Sequence, residues 1–96
     1  MGKIKVTDWN VVDYLKTEED IAGYLEAVAE ENNPKLLISA LNDVARARSI
    51  NKIAKQINVG RESLYKSLSG DVKVSFETIH KILDSLGLRF SIVPKV

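Results

Sequence analysis

The stretch INKIAKQINVGRESLYKSLS, residues 50–69, contains two short runs with helical spacing on either side of a turn. The turn of about three residues includes Asn58, one of the few residues other than glycine that tolerate a left-handed backbone. Ala54 is small enough for two helices to cross steeply at close approach. The inward positions are apolar: Ile53, Ala54, Ile57, Val59, Leu64 and Leu68. The stretch therefore predicts a helix-turn-helix.

The second of these helices is expected to expose a polar edge formed by Arg61, Glu62, Ser63, Tyr65 and Lys66. An arginine can contact guanine with two hydrogen bonds, serine both donates and accepts, and a tyrosine can touch a thymine methyl group or bind a phosphate. Contacts to the phosphate backbone are predicted for Lys66, Ser69 and Lys73, and for Asn51 and Lys52 at the start of the preceding helix. These residues are candidates for binding double-stranded DNA.

The charge of the chain is divided between its two halves, although the formal net charge is only +1. Residues 1–45 contain four basic and nine acidic side chains, whereas residues 46–73 contain seven basic and two acidic ones. The basic excess coincides with the predicted helix-turn-helix, which favours DNA binding. The acidic half has two interpretations: a solvated face that keeps the protein soluble, or a surface that meets a basic partner protein.

Helix signals extend on both sides of residues 50–69. Thr17 is followed by three acidic residues, as in a capping box, and Asn33-Pro34 marks the start of a further helix. Ser49 and Ser75 are expected to cap two more helices, and Gly87 to end the last one in a left-handed conformation. The prediction is an all-α domain of about five helices over residues 17–87.

The two ends of the chain alternate polar and apolar residues. Residues 1–16 are predicted to be an N-terminal arm, with Lys3-Ile4-Lys5-Val6-Thr7 suited to a short strand or an extended segment. Residues 88–93 alternate almost strictly before Pro94, which predicts a C-terminal strand within a segment of residues 88–96. Its partner could be Ile4–Val6, a second copy of the chain or a different protein.

Several kinds of chemistry have little support in these 96 residues. There is no cysteine, and the single histidine, His80, cannot build a metal site alone. The acidic residues at 18–20 and 30–31 are attributed to a helix start and a solvated face, and no nucleophile stands beside a base. We expect no enzyme activity, cofactor or metal. No membrane span or signal peptide is visible, which predicts a cytoplasmic protein.

A more specific similarity is carried by combined motifs over about residues 7–93. They are Tyr14-Leu15, Glu19-Asp20-Ile21-Ala22, Tyr24-Leu25, Ala45-Arg46-Ala47-Arg48, Arg61-Glu62-Ser63-Leu64-Tyr65-Lys66 and Leu68-Ser69-Gly70. With them the chain resembles the addiction-module antidote proteins, the antitoxin halves of bacterial type II toxin–antitoxin pairs. Residues 49–70 and 75–88 also resemble the phage-repressor type of helix-turn-helix domain.

The resemblance implies a homodimer that binds a palindromic operator in its own promoter and neutralises a small basic toxin of the RelE/ParE superfamily. Two departures are visible: Asn58 stands where the turn usually has glycine, and Ile50 replaces a polar residue that some phage repressors use to hold a phosphate. Two other functions remain open, a stand-alone transcriptional regulator without a toxin and a protein-interaction module that does not bind DNA.

Overall fold

The computed structural model describes residues 11–95 of the chain, and these residues form six helices. Five are longer than one turn, in agreement with the expected all-α class and helix number. The helices are α1 (Val11–Tyr14), α2 (Glu18–Ala29), α3 (Pro34–Arg48), α4 (Ile50–Gln56), α5 (Arg61–Ser67) and α6 (Phe76–Ser85). The predicted extended segment Lys3–Thr7 lies outside the described residues.

The predicted helix starts are confirmed by hydrogen bonds. The Asp20 amide donates to Thr17 Oγ1 at 3.0 Å and the Thr17 amide donates to Asp20 Oδ2 at 3.1 Å, which completes a capping box. Asn33 Oδ1 accepts from the first turn of α3, with Pro34 at the first helical position. Ser75 Oγ accepts from the Thr78 amide at 3.1 Å. Each cap satisfies an amide that a helix start leaves unpaired.

The two residues expected to end helices in a left-handed conformation, Asn58 and Gly87, do so. Asn58 has φ +61° after α4 and Gly87 has φ +79° after α6. The residue following each one donates its amide back into the helix: Val59 to the Ala54 carbonyl at 3.0 Å and Leu88 to the Leu83 carbonyl at 2.9 Å. Both ends are therefore Schellman motifs, which turn the chain sharply and return an apolar side chain to the core.

Ser49 joins α3 to α4 without any intervening loop. Its φ of +87° is unusual for a residue with a side chain, and its Oγ accepts from the Lys52 amide at 3.3 Å. Ser49 therefore ends one helix and caps the next, as the sequence predicts for the second of these roles.

The core lies where α3 and α4 meet the other helices. Helix α3 contacts α1, α2 and α4, and α4 also contacts α5 and α6. The most deeply buried large side chains come from five of the six helices or their ends: Ile21, Leu41, Val44, Ile53, Leu64, Leu68 and Ile82. Leu15 is only 3% exposed, so the last part of the predicted N-terminal arm is packed into this core.

The predicted C-terminal strand does not form within the described part of the chain. Residues 88–95 are irregular, although Leu88 packs against the core and the Phe90 ring stacks on Phe76 at 5.1 Å. A strand requires a neighbour to receive its hydrogen bonds, and the described residues supply none. The alternation of residues 88–93 is therefore a side-chain pattern without a pairing partner among residues 11–95.

None of the helices in residues 11–95 has both the length and the apolar character that crossing a membrane requires.

Candidate nucleic-acid interface

Helices α4 and α5 are held together by the apolar residues that the sequence analysis placed inward. Ile53, Ala54, Leu64 and Leu68 are each at most 4% exposed, and Ile57 is 9% exposed. The connection between the helices comprises residues 57–60, one residue more than expected because α4 ends at Gln56. Because these apolar residues lie on one side of α4 and α5, the opposite side of both helices is exposed to solvent. The orientation of α5 is thus fixed by the core rather than by its own short length.

All nine residues predicted to contact DNA are exposed. Their positions fall into three groups: Asn51 and Lys52 in the first turn of α4; Arg61, Glu62, Ser63, Tyr65 and Lys66 along α5; and Ser69 and Lys73 in the segment that follows. In α5 the two buried leucines, Leu64 and the flanking Leu68, are one helical turn apart, so the polar residues occupy the remaining circumference. The structure brings the five α5 residues onto one continuous surface.

Arg61 and Tyr65 interact with each other on that surface. Cζ of the Arg61 guanidinium lies 5.2 Å from the centroid of the Tyr65 ring. A cation–π contact at an exposed site contributes only about 0.5–1 kcal/mol. The contact therefore orients the guanidinium in the free protein while leaving it able to move to a hydrogen-bonding partner.

Ser69 has a structural role that the sequence analysis did not include. Its Oγ donates to the Lys66 carbonyl at 2.8 Å and accepts from the Asp71 amide at 3.2 Å. These two bonds close the end of α5 ahead of Gly70, whose φ is +88°. Because its hydroxyl hydrogen is used inside the protein, Ser69 is less available for a phosphate than the neighbouring lysines.

The basic excess of residues 46–73 is smaller at the surface than the count suggests. Arg46 pairs with Asp43 at 2.6 Å, and Arg48 lies 3.5 Å from Glu18. Removing these two from seven leaves five basic side chains on and around α4 and α5: Lys52, Lys55, Arg61, Lys66 and Lys73. Within the described residues, none of these five forms an ion pair with a carboxylate. The surface therefore remains positively charged against the two acidic residues of this region, Glu62 and Asp71.

Lys55 belongs to this surface but was not among the predicted residues. It is exposed three residues after Lys52, while Ile53 and Ala54 between them are buried. The spacing of three places Lys52 and Lys55 on the same side of α4. Applying the helical period to the polar positions, as well as to the apolar ones, would have found it.

The opposite charge is concentrated on α2 and its C-terminal end. Residues 18–31 contain six acidic side chains and no basic one. Asp20 is engaged in the capping box, whereas Glu26 and Glu30 are exposed. The acidic side chains of residues 18–31 thus lie on or beside a different helix from the basic side chains of α4 and α5, and we call the exposed pair Glu26 and Glu30 the acidic surface of α2.

Other kinds of site find little support in residues 11–95. No group of three or more His, Asp or Glu side chains lies close enough together there to hold a metal ion. His80 is exposed and its ring lies 6.1 Å from Phe76 and 6.4 Å from Phe90. The histidine is part of an aromatic cluster rather than of a ligand set.

Comparisons with known proteins identify the family that the chain resembles over most of its length. Residues 5–94 match a protein family described as "Probable addiction module antidote protein". The chain is also similar to a protein of Haemophilus influenzae described as "Uncharacterized protein", with 40% identity over 88 residues that cover 92% of this chain and 91% of the relative. No solved structure matches the chain.

Proposed function

The chain belongs to the family of probable addiction module antidote proteins, and from that premise we propose that it is a DNA-binding antitoxin that represses its own promoter and neutralises a small toxin. An antidote family implies a toxin partner in general terms. The DNA-binding part of the proposal, the homodimeric state and a basic RelE/ParE-like toxin go beyond the family description. They rest on the surfaces described above.

The observation that carries the DNA-binding proposal is that the polar side of α5 is exposed while its apolar side is buried in the core. Arg61, Ser63 and Tyr65 offer the donors and acceptors that distinguish base edges. Lys52, Lys66 and Lys73, on α4, on α5 and after α5, are exposed, and no carboxylate of residues 11–95 pairs with them. A helix held this way by its apolar side suits insertion into the major groove as a recognition helix. A homodimer would present two such helices to the two halves of a palindromic operator.

Binding to the DNA upstream of its own gene is the direct test. The purified chain is titrated by fluorescence anisotropy against that DNA at two salt concentrations, with unrelated DNA as competitor. Specific binding that survives the competitor and weakens with salt is the expected result. Equal affinity for both DNAs, or no binding, would leave the family assignment intact and support a protein-interaction module instead.

Two substitutions test whether α5 carries the specificity. Arg61→Ala should cost about 1–3 kcal/mol of binding free energy and reduce the preference for the cognate sequence, because a bidentate base contact is lost. Lys66→Ala should weaken binding to all sequences alike, because a phosphate contact carries no sequence information. Unchanged affinity in both variants would exclude this helix as the DNA-contacting element.

For the toxin, we place the contact on the acidic surface of α2. Exposed carboxylates at Glu26 and Glu30 would complement a basic protein, and complementary charge accelerates and orients association. This surface lies on a different helix from the basic side chains of α4 and α5. One chain could therefore bind DNA and toxin with separate surfaces.

Charge reversal separates the two activities. The double variant Glu26→Lys, Glu30→Lys should lose co-purification with the product of the adjacent toxin gene while its DNA affinity is retained. Glu77→Lys is the control for a charge reversal elsewhere, because Glu77 is also an exposed helical glutamate. It loses a weak pairing with Lys81 and a favourable position in the first turn of α6, so circular dichroism should confirm that the variant is folded. If the double variant still binds the toxin as well as the control does, the contact lies elsewhere. Absence of any adjacent toxin gene would favour a stand-alone regulator.

A further inference from the structure

The C-terminal segment after Leu88, residues 89–93, combines exposed apolar side chains with unpaired backbone. Ile92 is 95% exposed, Val93 is 74% exposed and Phe90 is 41% exposed, although these are residue types that proteins usually bury. No hydrogen bond joins Arg89 or residues 91–95 to the rest of the described chain. Unpaired amides and carbonyls next to apolar side chains form an edge that invites pairing with another strand.

One side of the segment is already directed at its own domain. Leu88 packs against the core and Phe90 stacks on Phe76 with 5.1 Å between ring centroids. In an extended chain Ile92 falls on the same side as these two residues, because side chains alternate with a period of two. The described part of its own domain does not cover Ile92, and Phe76 remains 68% exposed beside Phe90. In the extended conformation the apolar side would therefore continue from the core through Phe90 to Ile92, with its outer end uncovered.

We propose that this surface is completed by a second copy of the chain, with residues 88–92 of both copies paired as an antiparallel two-stranded ribbon centred on Phe90. In this register Phe90 faces its own counterpart and Leu88 faces Ile92 of the other copy. All pairs on the inner side are then apolar, while Arg89 faces Ser91 on the outer side. The inference rests on the homodimer of the proposed function and names the surface that forms it.

The sequence itself favours a second copy as the occupant. Twofold pairing requires a segment that is complementary to itself, and residues 88–92 meet that condition with Phe90 on the axis. The exposed Ile92 would then lie beside the partner copy's Leu88, which is already packed on a core. A shift of the register by one residue would place Arg89 opposite Ile92 and Phe90 opposite Ser91, so the side-chain pattern excludes that shift. Of the registers that keep the two faces apart, the one centred on Phe90 pairs all three apolar residues, Leu88, Phe90 and Ile92, with one another.

Two neighbouring charge substitutions test the surface without touching the core. Ile92→Asp should raise the dimer dissociation constant by at least about tenfold in analytical ultracentrifugation, because a carboxylate would face the partner copy's Leu88. Ser91→Asp is the matched control, with the same added charge one residue away but facing Arg89 of the other copy, and it should leave the dimer intact. Equal effects of the two variants would overturn the proposed pairing, since the two side chains are assigned to opposite faces.

Because the chain contains no cysteine, disulfide cross-linking can measure the register. The double variant Arg89→Cys, Ser91→Cys should form a covalent dimer under mild oxidation, because opposed residues have Cα atoms within the range that a disulfide spans. Each single variant should cross-link poorly, since residues 89 and 91 do not face themselves across the axis. Efficient cross-linking of Ser91→Cys alone, or none in the double variant, would overturn the centred register.

These experiments distinguish a failure of the proposed dimer from a failure of the proposed function. A monomer, or a dimer insensitive to Ile92→Asp, that still binds its upstream DNA specifically overturns this inference alone. A dimer that cross-links through residues 89 and 91 without any sequence preference in DNA binding supports the inference and overturns the DNA-reading part of the proposed function. Circular dichroism of each variant confirms that the helices are retained in both cases.

Discussion

Asp43 lies on α3 and is the one charged residue that is buried among the described residues. Its Oδ2 accepts from the Tyr24 hydroxyl of α2 at 3.1 Å, and its Oδ1 pairs with the Arg46 guanidinium at 2.6 Å. A buried carboxylate is tolerated when its lone pairs are satisfied and its charge is paired. The three side chains therefore form a polar clamp between α2 and α3 inside an otherwise apolar contact.

The clamp makes stability depend on pH in the alkaline range. Burial, followed by the charge of Asp43 and its hydrogen bond, raises the pKa of Tyr24 from its ordinary value of 10.0 to about 12, and Arg46 opposes the shift. Below pH 10 neither state releases this proton, so the contribution of Tyr24 is complete. Between pH 10 and 12 the unfolded chain releases it first. The free energy of unfolding should fall there by up to about 3 kcal/mol from this group alone.

Tyr24→Phe isolates that contribution. At neutral pH the variant should be less stable by about 1–2 kcal/mol, because a hydrogen bond to a charged acceptor is lost while Asp43 keeps its pair with Arg46. Above pH 10 the two stabilities should converge, because the variant has no proton to lose at this position. Urea unfolding at pH 7, 10 and 11.5 measures the difference in unfolding free energy between the two proteins. If that difference is the same at all three pH values, Tyr24 titrates alike in the folded and unfolded states.

None of this clamp could be predicted from the sequence. Tyr24 and Asp43 are 19 residues apart, and each occurs in a pattern that equally suits a solvent-exposed position. Arg46 was counted among the basic residues near the predicted DNA surface, whereas its guanidinium is committed to Asp43. Local spacing says which side of a helix a residue occupies, but not which residue of another helix it will meet.

At the scale of the helix, local sequence signals were sufficient to predict where several helices begin and end. The starts at Thr17, Asn33 and Ser75 and the left-handed ends at Asn58 and Gly87 were predicted correctly, because each depends on hydrogen bonds within a few residues. The strand at residues 88–93 was not found, since a strand depends on a distant or external partner. The alternation of residues 88–93 correctly indicated an apolar side of the segment, but it could not show whether the segment forms a strand.

Asn58 allows the turn between α4 and α5 to be tested by substitution. Its φ of +61° is tolerated by asparagine, favourable for glycine and costly for residues with an ordinary Cβ. Asn58→Ala should therefore lower the free energy of unfolding by about 1 kcal/mol, whereas Asn58→Gly should change it by less than about 0.5 kcal/mol.

Thermal unfolding followed by circular dichroism gives the comparison. The side chain of Asn58 is exposed, so the two variants differ chiefly in backbone preference and not in lost packing. Under the proposed function, DNA affinity should follow the same order, because this turn connects α5 to the helix on which it packs. An alanine variant as stable as the glycine variant would mean that the left-handed conformation at residue 58 is not maintained in solution.

On the scale of the molecule, the division of charge was visible in the sequence, but its distribution in space was not. Two arginines counted on the basic side form ion pairs with carboxylates of the acidic half, and these pairs tie α3 to itself and to the start of α2. The remaining five basic side chains are separated from the carboxylates at Glu26 and Glu30 by belonging to different helices. In the function proposed above, this separation would allow DNA and a basic toxin to bind different helices of one small chain.

The salt dependence of DNA binding should reveal how many copies of the chain are bound. If Lys52, Lys66 and Lys73 each neutralise one phosphate, a dimer makes six such contacts, and the slope of log affinity against log salt should be about −5. Lys66→Ala removes one contact from each copy and should reduce the slope by about 2 in a dimer, against about 1 in a monomer. Lys81→Ala, on α6, is the control, and its slope should equal that of the unmodified chain. A change of about 1 for Lys66→Ala would mean that a single copy occupies the operator, even if the free protein is dimeric.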